Sequence, residues 1–368
     1  DNVALGNTAL DSNVSGIRVT AIGSQALTAN TASDNTAIGA RAMASTTSGA
    51  NNVAVGRDSL FTNSTGAENV SVGLNTMYYN TTGANNTALG RSALQSNTTA
   101  SHNTAVGYQS LLANTTGQYN SALGRLSLDS NTTGSENVAI GNNALQANTT
   151  ASNNVAVGST ALFSNTTASN NTAVGHEALK DNTTGTINTA LGRQALANNT
   201  TGIENTAVSY AMVSNTNGSH NTAVGLGALQ LNTSASHNTA TGRESLYSNT
   251  TGAENSAFGS GALVSNTTGS YNTGLGRYAL ALNTTASSNT VVGYQSLYAN
   301  TTGSENAGLG VKALLTNTTG TFNVSVGNSS MRLNTTGGYN TALGANSLRS
   351  NTTADQNTAL GYYALGET

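Results

Sequence analysis

The motif Asn-Thr-Ala-(Leu/Val)-Gly returns every 17 residues, as in Asn86-Thr87-Ala88-Leu89-Gly90 and Asn103-Thr104-Ala105-Val106-Gly107. Self-similarity of this kind outranks every local signal, because each repeat must be one structural unit stacked on its neighbours. The units run from residue 2 to a last, truncated one that begins at residue 357, with 21 complete copies before it. Residues 1–368 therefore read as one continuous repeat array with no separate globular domain. A unit reads Asn-Thr-Ala-Val-Gly-x-x-Ala-Leu-x-x-Asn-Thr-Thr-(Gly/Ala)-x-x, and its positions are numbered one to seventeen below. Two units are a residue short, one near Ala32-Ser33-Asp34 and one at Ser209-Tyr210-Ala211-Met212, and the period resumes after each.

Seventeen residues are too few for a pair of helices and their turn, which need roughly 34. Asn, Thr, Ser and Gly are poor helix formers, and Asn-Thr-Thr-Gly is turn chemistry that would interrupt any helix once per unit. The reading is all-β: a parallel β-solenoid, or β-roll, of 17-residue coils, with strands at positions two to five and eight to ten. Equivalent residues then stack about 4.8 Å apart, and the Asn of positions one and twelve can form amide ladders along the axis. Position four (Leu89, Val106, Leu123, Ile140) and position nine (Leu94, Leu111, Leu128, Leu145) are both assigned to the interior. Ala at position three and Gly at position five mark close backbone approach, across the coil or to a neighbouring chain.

Two large aliphatic side chains per coil leave 17 ordered residues short of core. Sharing that core among copies is the expected remedy, so the chain reads as a fibrous homo-oligomer, a trimer wound on a common axis. Twenty-two coils would span roughly 100 Å.

Strings such as Asn103-Thr-Ala-Val-Gly-Tyr-Gln-Ser-Leu-Leu-Ala-Asn-Thr-Thr-Gly117 and Asn289-Thr-Val-Val-Gly-Tyr-Gln-Ser-Leu-Tyr-Ala-Asn-Thr-Thr-Gly303 closely resemble the repeats of phage tail-fibre and related bacterial surface proteins, which often end in an intramolecular chaperone. The resemblance covers essentially the whole chain. More distantly, Val138-Ala139-Ile140-Gly141 looks like the head repeat of trimeric autotransporter adhesins, whose own repeats are shorter. These resemblances imply an extracellular, trimeric fibre on a virion tail or cell surface, concerned with spacing or attachment. The expected role is a non-enzymatic structural and adhesive shaft; the alternatives are a subunit of an end-to-end filament and an ice- or glycan-binding solenoid.

Composition limits the other classes. With 12 Lys+Arg against 15 Asp+Glu there is no basic stripe for nucleic acid. No run of about 20 apolar residues predicts membrane insertion. The 15 acidic residues are scattered, most often at position seventeen, and the glycines lack phosphate-loop spacing, so no catalytic residue, cofactor or metal is expected. His220 and His237 fall at position seventeen of adjacent coils, where stacked rings in an oligomer could hold an ion, but that position also carries Tyr, Asn, Ile and Phe and reads as a tolerant rim.

Two rows carry candidate contacts. Position six presents Arg91, Tyr108, Arg125, Arg193, Arg243, Arg277 and Tyr294, types that suit a cell-surface glycan or receptor through stacking and bidentate hydrogen bonds. Asn80, Asn97, Asn114, Asn131 and Asn148 at position twelve match the Asn-x-Ser/Thr pattern and would be glycan acceptors if the source glycosylates Asn, although the same residues serve as turn formers. Thr at positions two, thirteen and fourteen is the feature behind the ice-binding alternative.

Overall fold

The computed structural model describes residues 1–367, and among these there is no helix. They fall into two compact units, Asp1–Thr186 and a second from Ile187 onward. Both are built from the same coil. The first unit holds eleven three-residue strands, β1 (Val3–Leu5) to β11 (Thr172–Val174), and the second another eleven, β12 (Thr189–Leu191) to β22 (Thr358–Leu360). Within each unit every strand pairs in parallel with its sequence neighbour, repeat position on repeat position, as in Thr87↔Thr104, Ala88↔Ala105 and Leu89↔Val106. Each unit is therefore a parallel β-solenoid of 17-residue coils.

The short unit at Ser209–Met212 does not disturb this order. Thr206 pairs with Thr222 across a spacing of 16 residues, and the next pair resumes at 17. The missing residue is lost from a turn, outside the strand pairing.

Only one strand forms per coil. Positions eight to ten, expected to be extended, instead lie in two consecutive turns. In the coil that starts at Asn86, Ala93 N–H donates to Gly90 C=O at 3.2 Å, and Asn97 N–H to Leu94 C=O at 3.2 Å. Positions seven and nine take φ near +55° in coil after coil (Ser92 +56°, Leu94 +53°), a left-handed conformation that no strand can contain. The turns still ladder between coils: Leu94 N–H donates to Ser110 C=O and Ser96 N–H to Leu112 C=O, both at 3.0 Å. Most backbone donors are thus used without a second sheet, which is compatible with a chain that contains no Pro.

The interior is narrow and filled by six rows. Positions one, three, eight, nine, twelve and fifteen are buried, with Asn86, Ala88, Ala93, Leu94 and Asn97 at 0% exposure. Position nine is Leu or Met in all 22 coils. Position four is the exception to the expected core: Leu89, Leu123 and Ile140 are 48%, 50% and 39% exposed, and no residue of that row is buried in any coil. The cause is the two-residue alternation of a strand, which turns positions two and four outward once the Ala between them points in.

The Gly of position five has φ of +116° to +138° wherever it occurs. A Cβ on Gly90 would lie 2.5 Å from the carbonyl oxygen of Gly107, the same position of the next coil. The close approach that selects Gly runs along the axis, to the same position of the next coil. Ser209, its one replacement, adopts φ +77°.

Candidate interaction surface

The buried amides explain how so polar a coil holds together. At position twelve, Asn97 Nδ2 donates to Asn80 Oδ1 of the preceding coil at 2.6 Å and to Ala100 C=O of its own turn at 3.0 Å. At position one, Asn86 Nδ2 donates to the same Ala100 carbonyl at 2.9 Å and to Asn69 Oδ1 at 3.1 Å, and Asn69 Oδ1 also accepts the Asn86 backbone N–H at 3.0 Å. Two side chains thus meet on one carbonyl and tie the start of a coil to its closing turn. Fully paired networks of this kind tolerate burial; a half-paired one does not.

This arrangement corrects the glycan-acceptor reading of the Asn-Thr-Thr segments. Asn80, Asn97, Asn114, Asn131 and Asn148 are all 0% exposed, and each Nδ2 makes both of its hydrogen bonds inside the coil. A glycan on Nδ2 would remove a ladder donor and has no space, so glycosylation there and a folded coil exclude one another. The Thr at position thirteen is also engaged, since Thr81 Oγ1 donates to Thr98 C=O at 2.9 Å.

What remains outward is a strand face with two edges. Its centre is the row at position two, mostly Thr and Val, beside the aliphatic row at position four. No strand among the described residues carries a charged side chain. Where it is exposed, as at Leu89 and Leu123, this aliphatic row is the kind of apolar surface that marks an interaction site. Strand alternation could have identified it from the sequence, because Thr-Ala-Val with a small inward Ala leaves the larger residues outside.

Position six lies past the strand's C-terminal end, and Arg91, Tyr108, Arg125, Arg193, Arg243, Arg277 and Tyr294 are all exposed. Two consecutive members of this row touch: the Arg91 guanidinium lies 5.9 Å from the Tyr108 ring centre, a cation–π contact. Arg277 lies over Tyr278 at 4.8 Å, and Arg243 pairs with Glu244 at 2.9 Å. Near the short coil, Gly192, Arg193, Ser209, Tyr210 and Leu226 line a shallow open depression on this edge.

Position seventeen borders the other edge. Its residues are exposed and left-handed (Glu136 φ +59°), so rings there stack from coil to coil. His102 on Tyr119, His220 on His237 and Phe322 on Tyr339 are parallel at 4.9, 4.8 and 4.9 Å between ring centres, which measures the coil spacing directly. His220 Nδ1 also lies 3.2 Å from Glu204. Among the described residues no three His, Asp or Glu side chains converge as a metal would require. In the same row Arg18 donates twice to Asp34, at 2.6 and 2.7 Å, and holds that carboxyl below the usual carboxylate range. Among the described residues no helix is long and apolar enough to cross a membrane.

Compared with known proteins, the chain matches no family model and no curated protein. The surface must therefore be interpreted from its own chemistry.

Proposed function

We propose that this chain is the structural shaft of an extracellular fibre, of the tail-fibre or surface-adhesin kind, in which copies associate about a common axis, as a trimer, to space or present receptor contacts. The observation behind this reading is the uniformity of the coil. One unit of sequence is repeated with its interior closed by Asn, Ala and Leu rows, and the outward chemistry is rows of like residues rather than a single convergent site. Such a body suits bearing load and setting distance, and the depression lined by Gly192, Arg193, Ser209, Tyr210 and Leu226 is open to solvent. The role is non-enzymatic. Any receptor or glycan contact falls to those Arg and Tyr of position six that a second copy leaves uncovered; within the row Arg91 and Tyr108 already touch.

Electron microscopy of the purified protein, with its mass in solution, tests this. Particles of one fixed length containing three copies are the expected result. Polymers of variable length would favour the filament subunit instead, and compact monomeric particles would contradict the shaft.

A further inference from the structure

We infer that the strand face of each solenoid packs against the strand face of a second copy of this chain, side by side, parallel and without axial stagger. The inference rests on the reading above that copies associate, and it assigns the face and the register.

The face is uncharged at its centre and oppositely charged at its edges. Position six carries Arg57, Arg91, Arg125, Arg193, Arg243 and Arg277 and no acidic residue. Position seventeen carries Asp34, Glu68, Glu136, Glu204, Glu254 and Glu305, against the single basic Arg18. The two edges of one face are separated by six residues of nearly extended chain, about 20 Å, so they cannot neutralise each other within a chain. Among the described residues neither Arg125 nor Glu136 has an ion-pair partner in its own chain, whereas Arg57 lies against Asp58, Arg243 against Glu244 and Glu204 against His220, so Arg125 and Glu136 are the cleanest pair to test.

Symmetry then decides the orientation. When two copies, or three, are related by rotation about an axis parallel to the coils, the position-six edge of one meets the position-seventeen edge of the next at equal height. An antiparallel face-to-face pair would place Arg row on Arg row and acidic row on acidic row. The charges also share a register. Arg57 and Glu68, Arg125 and Glu136, Arg193 and Glu204, and Arg243 and Glu254 are each eleven residues apart. Eleven of seventeen residues round a coil is a rise of about 3 Å at ~4.8 Å per coil, within reach of paired Arg and Glu side chains. Sliding one copy by a single coil leaves one such match, Arg277 with Glu305, in place of four. A partner that fits a row repeating every coil must itself repeat at the same spacing, and a second copy does.

The chain has no cysteine, so introduced thiols report position cleanly. The double variant Arg125→Cys/Glu136→Cys, treated with a short bis-maleimide, is expected to give inter-chain cross-links as the major product. Arg125→Cys/Arg243→Cys and Arg125→Cys/Glu68→Cys are expected to give none. Cross-linking through the Arg125→Cys/Arg243→Cys pair would mean antiparallel packing, which sets their two coils opposite one another, and through the Arg125→Cys/Glu68→Cys pair a stagger of four coils; either overturns the assignment. Charge reversal gives a second reading that does not depend on cross-linking. Arg125→Glu is expected to weaken association severalfold, and Arg125→Glu/Glu136→Arg to restore it. Equal loss in both would overturn the pairing. An assembly of the expected mass that fails these tests refutes the face and register but leaves the shaft reading intact. A protein that is monomeric at every concentration refutes both, and thermal hysteresis from that monomer would assign the face to ice instead.

Discussion

Positions four and nine each place one aliphatic side chain in nearly every coil, yet they lie on opposite sides of the wall. Position nine is Leu or Met throughout, has φ between +45° and +56°, and is 0–1% exposed from Leu27 to Leu348. Position four takes Val, Ile, Leu, Phe and once Thr, is extended, and stays half-buried or exposed. The residue types follow from the backbone. A left-handed residue crowds its own Cβ, and branching there makes the crowding worse; solvent-facing positions such as Ile187 (φ +60°) tolerate it, but fully packed position nine holds no Val or Ile, although they are common twelve residues later at the next position four. Apolar character alone does not distinguish the rows; tolerance of β-branching does.

The largest expected separation comes from truncation. Leu128→Ala should cost about 2–5 kcal/mol in denaturant unfolding, because it opens a cavity in a core one coil wide. Leu123→Ala should leave the stability of an isolated copy nearly unchanged and act on association, visible as a concentration-dependent loss of oligomer mass. Equal effects on stability would remove the distinction between the rows.

Shape gives the next test. Leu to Ile ordinarily costs less than about 1.5 kcal/mol in a core that can repack. Leu111→Ile should exceed that by about 1–2 kcal/mol, since it puts a branched Cβ at φ +54°. Leu123→Ile should be close to neutral, as Ile140 already occupies the same position one coil on. A neutral result at Leu111 would mean that φ is not what selects Leu and Met.

Between the rows lie the amides. Asn114→Ala should cost about 1–3 kcal/mol, because Asn131 Nδ2 loses its acceptor, Asn114 Oδ1, at 2.9 Å inside a dry coil. The same substitution at an exposed Asn such as Asn153 should cost little.

The smallest effect concerns a charge beside position nine. Asp129 follows Leu128, and burial pushes its carboxyl up from its ordinary value. The folded state therefore binds the proton more tightly than the unfolded chain. Its favourable contribution is present below the unfolded pKa and is lost as pH rises through the raised folded value. Asp129→Asn should remove that dependence, with a small gain in unfolding midpoint at neutral pH and none in acid.

The period, the solenoid, the amide ladders and the Leu/Met row were all legible before any coordinates, because a 17-residue repeat rich in Asn and Thr has few ways to close. The outward turn of position four is not, because side-chain size and strand alternation point opposite ways there. Leu89 looks more like core than Ala88, but in a coil this narrow Ala is what fits inside. The left-handed residues were hidden for a related reason: their usual marker is Gly, and only Gly227 and Gly261 at position seven display it, while Ser, Gln, Glu and Asn take the same backbone elsewhere. Position six is legible as an exposed edge and position seventeen as a tolerant rim where acidic residues most often fall, but the matched spacing of Arg and Glu emerges once both are placed on the flanks of one strand.

Leucine-selective carbon-13 solid-state NMR tests the central claim most directly, because the shifts report backbone conformation residue type by residue type. A left-handed leucine population, nearly all from position nine, and an extended one from position four are expected beside the remaining turn leucines such as Leu74 and Leu112, and Leu128→Met should diminish only the left-handed one. A single extended population would contradict the account, since it would place both aliphatic rows on strands.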